Sequence, residues 1–218
     1  FARQIFDFGK WILASSLLYV LAITGDKLLL GVWVTPAVLG CFAIGQNLAQ
    51  ILELAVGRVF SQVASPAFAD VMRNSPQRLR EVYLRMRLPF DLMFISAAGL
   101  LFAIGPWLVG LMYDPRYAEA GAILQVLSFA LIVARYGVSA GAYMALQAPH
   151  AQAVMNLVRV VAFVIFVPMS YQLYGVHGAY WAIALSPAAI APVVWWFDRR
   201  YGLLSWRHEV LTLAAWPL

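Results

Sequence analysis

An all-α, multi-pass membrane bundle is the fold class this sequence predicts, and three observations predict it. Hydrophobic residues make up 63% of the 218 residues and charged residues only 11%, with a mean hydropathy of +0.79; an average soluble domain carries about 25% charged residues. The charges are also bunched, leaving residues 92–113, 136–158 and 160–197 without any Asp, Glu, Lys or Arg. Each gap is as long as the roughly 20 apolar residues that a helix needs to cross a bilayer. Backbone in lipid must satisfy its own hydrogen bonds, so such runs form helices. The period-2 alternation of a membrane β-barrel is not visible in the sequence.

Breakers divide the apolar runs into six predicted helices. The first covers about 10–32 and ends near Thr35-Pro36, and the second covers about 37–64 and ends at Ser65-Pro66. The third covers about 88–112 and stops at Tyr113-Asp114-Pro115; the fourth covers about 118–147 and ends at Ala148-Pro149. The fifth and sixth, about 151–172 and 177–197, are separated by "QLYGVHG". Residues 1–200 thus form one helical unit, and 201–218 is a tail that opens a further apolar run, "VLTLAAWPL". The chain opens mid-pattern at Phe1 without an initiator Met, which reads as a piece of a longer protein.

Between the second and third helices lies "NSPQRLREVYLRMR". Ser75 can cap a helix with Pro76 at its first position. Leu79, Val82, Tyr83 and Met86 then repeat at i, i+3, i+4 and i+7 with arginines on the other faces, so 75–87 is predicted as a basic amphipathic helix in the membrane interface. Topology and anionic-lipid contact account for this run better than an enzymatic or nucleic-acid role. Placing it in the cytoplasm puts ten of the 15 basic residues inside: Arg3, Lys10, Arg73, Arg78, Arg80, Arg85, Arg87, Arg199, Arg200 and Arg207. Lys27 and Arg116 fall outside, and Arg58, Arg135 and Arg159 within helices.

Charges in spanning helices cost on the order of 2.5–3.5 kcal/mol each at mid-bilayer and mostly face a bundle interior or an aqueous cavity. Here they fall in stripes. Gln46, Gln50, Glu53, Gly57 and Ser61 share one face of the second helix, and Gln125, Ser128, Arg135 and Ser139 one face of the fourth. Gln152, Asn156 and Arg159 share a face of the fifth, as do Ser15, Tyr19, Ala22 and Asp26 on the first. Taken singly, each stripe fits interhelical hydrogen bonding, with Arg58 and Arg159 reaching to the membrane surface. Four stripes together favour a hydrated central cavity. Arg135, Arg159 and Arg58 against Glu53 and the more peripheral Asp26 make that cavity net-positive and suited to an anion, because guanidinium matches phosphate oxygens. Lys27, about 100° round the helix from Asp26, can reach the outer surface, so Asp26 is either half of a helix-end ion pair or a pathway residue.

Catalytic and metal-binding patterns are absent from the sequence, so neither enzyme activity nor a cofactor is expected. His150, His177 and His208 lie in connections or the tail without Cys or carboxylate partners at ligand spacing. Cys41 has no second cysteine to pair with. Gly99, Gly105, Gly137 and Gly141 read as close-packing sites, and Pro168, Pro187 and Pro192 as kinks in the last two helices.

"FGKWILASSLLYVLAITGDKLLLG" resembles the segment that opens the second half of bacterial polysaccharide flippases, the O-antigen and exopolysaccharide translocases of the multidrug/oligosaccharidyl-lipid/polysaccharide exporter superfamily. "TPAVLGCFAIGQNLAQI", "VASPAFADV", "GLMYDPRYAEAGAILQVLSFA" and "LYGVHGAYWAIAL" resemble further elements of that family in its own order, over about residues 8–200. Phe42 stands where a Tyr is usual, and "LQAPHAQ" lacks a customary basic residue. The resemblance implies a two-lobed MATE-like protein of which this chain is most of the second lobe, in the bacterial cytoplasmic membrane. It implies alternating access that moves an undecaprenyl-pyrophosphate-linked oligosaccharide, with a polysaccharide polymerase and other assembly proteins as partners and no nucleic acid. On this analogy Arg135 and Arg159 attract pyrophosphate or acidic sugars, while Glu53 and Asp26 couple to an ion or pair with the arginines. A lipid II flippase or drug antiporter is the nearest alternative. A membrane-embedded polymerase or glycosyltransferase is the alternative of another class, and the short outer connections speak against it.

Overall fold

Two prolines expected to end helices act in opposite ways. In the computed structural model, which describes residues 2–206 and side chains from residue 9 onward except residue 23, Pro36 opens α2 (Pro36–Asn74) behind an extended Thr35. That is where a missing N–H does no harm. Pro66, by contrast, lies inside α2, which runs on for two further turns. Its neighbours Ala64 and Phe68 are both fully buried, and Phe68 packs on Phe60 and Tyr83. This packing holds the helix through a residue that would break it in isolation.

The same contacts correct the segment at 75–87. Only Pro76–Arg78 forms a separate 3-10 turn; α3 starts at Leu79 and continues to Met112. The stripe headed by Leu79 and Tyr83 packs into the bundle, and Arg87 is buried with it. The predicted separate helix is therefore the first part of α3, continuous with the apolar run that follows it. Arg78, Arg80, Glu81 and Arg85 stay exposed.

Helix directions follow from which residues meet. Phe60–Phe90 and Phe68–Tyr83 pair α2 with α3 antiparallel. Gly121 of α4 (Glu119–Ala134) lies so close to Pro106 of α3 that an added Cβ would sit 2.6 Å from the proline Cα, and Gln125 donates to the Phe102 carbonyl at 2.7 Å. That pair is also antiparallel. Between them, Asp114 caps the turn Pro115–Tyr117 by accepting from the Arg116 N–H, and the Arg116 side chain holds its carboxyl below the usual value. Gly105 and Gly141 are close-packing sites, but Gly99 and Gly137 have nothing within 4 Å of a built Cβ.

The predicted fourth helix is two. α4 ends at Ala134 and α5 (Gly137–Ala145) follows, with Tyr136 N–H bonded to Val133 and Val138 N–H to Arg135 in tighter three-residue steps. Left-handed Gln147 (φ 56) then leads into α6 (Pro149–Leu185). Along α6 run the partners of α1 (Ala2–Trp33) in the same order: Trp11 with His150, Ser15 with Asn156, Gly25 with Phe163, Trp33 with Tyr171. These two helices are parallel.

Gly175 breaks α6 with φ 64 and ψ −150, a region essentially closed to other residues. Beyond it the chain turns back: an added Cβ on Gly178 would collide with the Ser170 carbonyl, and Phe197 reaches His150 at 5.9 Å between rings. The returning limb contains the 3-10 stretch Ser186–Ile190, with Pro187, and then α7 (Ala191–Arg200). Among the described residues, five helical stretches are long and apolar enough to cross a membrane, the fifth being the doubled-back Pro149–Arg200 of 52 residues. Every regular element among the described residues is helical, and large apolar side chains such as Leu13, Leu28, Trp107, Leu111 and Ile165 point outward. That surface suits lipid. Side chains of Arg3, Arg207 and His208, and the tail run beyond Trp206, lie outside the described residues.

Candidate functional site

Three of the four polar stripes converge. Tyr19 and Asp26 from α1, Gln46, Gln50 and Glu53 from α2, and Asn156 and Arg159 from α6 line a branched crevice whose far wall is the 3-10 stretch at Ser186–Ile190. Its three adjoining spaces are about 70, 230 and 270 Å³, and Glu53 borders all three. Arg58 lies at the edge of the largest and is exposed.

Within the crevice, Asp26 is buried and accepts from the Gln46 side-chain amide and from the Lys27 N–H at 2.7 Å. Gln46 is thereby oriented, and its Oε1 is a buried acceptor with no protein donor. Such an atom calls for water or a ligand donor. Asn156 donates to the Ser15 carbonyl at 3.0 Å and hydroxyl at 2.9 Å, which ties α6 to α1. Arg159 is half-buried between the carboxylates of Asp26 and Glu53, yet makes no hydrogen bond or ion pair with any described side chain. Its guanidinium is open to the crevice.

Two expected members are elsewhere. Gln125 is spent on the Phe102 carbonyl and joins α4 to α3. Arg135 is 1% exposed and faces Asp91 of α3, Nη1 to Oδ2 at 3.4 Å, with Nη2 donating to the Tyr136 hydroxyl at 3.1 Å. The face of α4 that Arg135 shares with Gln125 meets α3, whereas α4 lines the crevice with Leu127, Ala130 and Leu131. The crevice therefore holds Arg159 and, at its rim, Arg58 against Asp26 and Glu53, a balanced set rather than the net-positive one expected.

Arg135 belongs to a second, closed cluster. Arg87 lies 3.5 Å from Asp91 and 3.2 Å from Asp198 of α7. Asp198 also accepts from Tyr83 at 2.8 Å and Tyr143 at 2.6 Å, and Tyr83 shares a hydrogen bond with Ser139. Two arginines and two aspartates, all at most 1% exposed, tie α3, the end of α4 and α7 together, and Ser139 and Tyr143 bring in α5. Charges so deeply desolvated hold only when paired. Arg87, Asp91 and Asp198 had no place in the sequence-based site. The i, i+4 spacing of Arg87 and Asp91 was the available signal; a boundary drawn at residue 88 separated them.

His150 packs on Trp11 and Phe197, and His177 on Tyr180. No group of three His, Cys, Asp or Glu residues suited to a metal occurs among the described residues. No curated protein and no solved structure matches the chain. A family model described as "polysaccharide biosynthesis protein" matches residues 1–120, which hold α1, α2 and α3 and so one wall of the crevice. With more than half of its 218 residues matched, this chain belongs to the polysaccharide biosynthesis protein family.

Proposed function

We propose that the chain is one lobe of a flippase that moves an undecaprenyl-pyrophosphate-linked oligosaccharide across the bacterial cytoplasmic membrane by alternating access. The observation that carries this reading is Arg159, a half-buried guanidinium without a protein partner in a membrane-embedded crevice. Its donor fork fits a phosphate or a sugar carboxylate, and low surrounding dielectric strengthens the attraction. Asp26 and Glu53 border the same crevice without pairing to Arg159, and in this reading they bind a coupling cation that is exchanged as the anion enters. The doubled-back fifth stretch makes six crossings in this reading, with both ends in the cytoplasm. Spaces of about 230 and 270 Å³ do not enclose an oligosaccharide, so a second lobe supplies the facing wall. The chain binds and moves its substrate and is no enzyme; the polymerase and other assembly proteins act on what it delivers.

Export of surface polysaccharide in cells carrying Arg159→Ala tests this. Export falls at least tenfold with the protein still present in the membrane, and Arg159→Lys restores part of it. Undiminished export in Arg159→Ala sinks the proposal. Two carboxylates beside one arginine also fit an organic-cation antiporter, the second reading; there Arg159→Ala leaves cation efflux intact or raises it.

A further inference from the structure

Where the limbs of the hairpin begin and end, a second opening differs from the crevice in every respect. His150 and Val154 of α6 face Pro192, Val193, Trp196 and Arg200 of α7 across a groove of about 530 Å³. Its floor is apolar, and along α7 the positions from Pro192 to Arg200 rise about 12 Å. Arg200 closes one end, its guanidinium over the Trp196 ring at 5.5 Å. Arg199 is exposed beside it, and neither arginine forms an ion pair with a described residue. The acidic residue of α7, Asp198, is fully buried and turned toward Arg87, Tyr83 and Tyr143. The mouth of the groove is thus positive with no exposed carboxylate on α7 to offset it.

Aromatic residues give the level of this mouth. Trp11, Trp196 and Trp206 are 41%, 55% and 58% exposed, and all lie at this end: Trp11 against His150, Trp206 against Trp195. Exposed tryptophans on a membrane bundle sit at headgroup depth. A groove that is cationic at that depth and apolar for about 12 Å below it matches one class of ligand.

We propose that this groove binds an anionic phospholipid, its phosphate at Arg200 and Arg199 and one acyl chain along Val154, Pro192 and Val193. A soluble anion would leave the apolar floor wetted, and a zwitterionic lipid would gain less from the uncompensated arginines.

The test uses the full-length protein in phosphatidylcholine vesicles doped with brominated phosphatidylglycerol or, in parallel, brominated phosphatidylcholine. Bromine quenches nearby tryptophan, and Trp196→Phe identifies the Trp196 component. The phosphatidylglycerol lipid quenches that component at a lower mole fraction than its zwitterionic counterpart; Arg200→Gln weakens the preference about fivefold, and Arg200→Lys retains it. Equal quenching by the two lipids, or an undiminished preference in Arg200→Gln, overturns the proposal. Displacement by a prenyl pyrophosphate at equal mole fraction also overturns it, assigning the groove to the transported substrate. Arg200 is exposed, so the folded state does not depend on it.

Discussion

Replacing Asp91 by alanine removes from the buried cluster the carboxylate that Arg87 and Arg135 both face. Asp91 is 3.5 Å from Arg87 and 3.4 Å from Arg135, and all three are at most 1% exposed. Removing one partner of such a buried pair costs about 3–5 kcal/mol, because the charge left behind keeps its desolvation penalty without compensation. For a chain of this size that lowers the unfolding midpoint by on the order of 10 °C. Arg135→Ala is expected to lose stability similarly, because it takes a buried cation from Asp91. The double replacement Asp91→Leu with Arg135→Met removes both charges together and recovers most of the loss, since an apolar pair of similar volume often equals a buried ion pair. Thermal unfolding of the purified variants in detergent, followed by tryptophan fluorescence, measures all three. An Asp91→Ala protein that melts with the parent, or a double variant as unstable as the single ones, refutes the pairing. The distinction bears on the proposed function: loss of export in Arg135→Ala would report lost structure, whereas loss in a stable Arg159→Ala would report the ligand contact proposed for it.

Two glycines are expected to behave oppositely to a third. Gly121→Ala drives a Cβ toward the Pro106 backbone 2.6 Å away, and because backbone must shift it destabilises by about 1–3 kcal/mol; a midpoint equal to the parent's would contradict the α3–α4 contact. Gly175→Ala, at φ 64 and ψ −150, costs about 1–3 kcal/mol through backbone strain, again read as a lowered midpoint. Gly40→Ala, inside α2 with nothing within 4 Å, is neutral or slightly stabilising on helix propensity.

Much of the bundle was legible along the chain. Apolar runs bounded by charges located the spanning segments, because an 18- to 25-residue helix in lipid leaves a compositional signature that needs no tertiary information. Asp26, Gln46, Gln50, Glu53, Asn156 and Arg159 were legible as helical stripes, because spacings of three and four put residues on one face whatever that face meets. Such periodicity cannot say which stripe meets which. Arg135 shares a stripe with Gln125 and Ser128, and that stripe is turned toward α3, where Gln125 meets the Phe102 carbonyl and Arg135 the Asp91 carboxylate. The continuation of α2 through Pro66 and the capture of 79–87 by α3 are likewise decisions of packing: Phe68, Tyr83 and Arg87 find partners far away in sequence, and those contacts outweigh local breaking signals. Composition and spacing settled that this is a helical bundle with a polar interior, since both act within one helix. Which arginine is paired inside the bundle and which stays open to the crevice was decided by pairing between helices, where the cost of burying an unmatched charge exceeds any local preference.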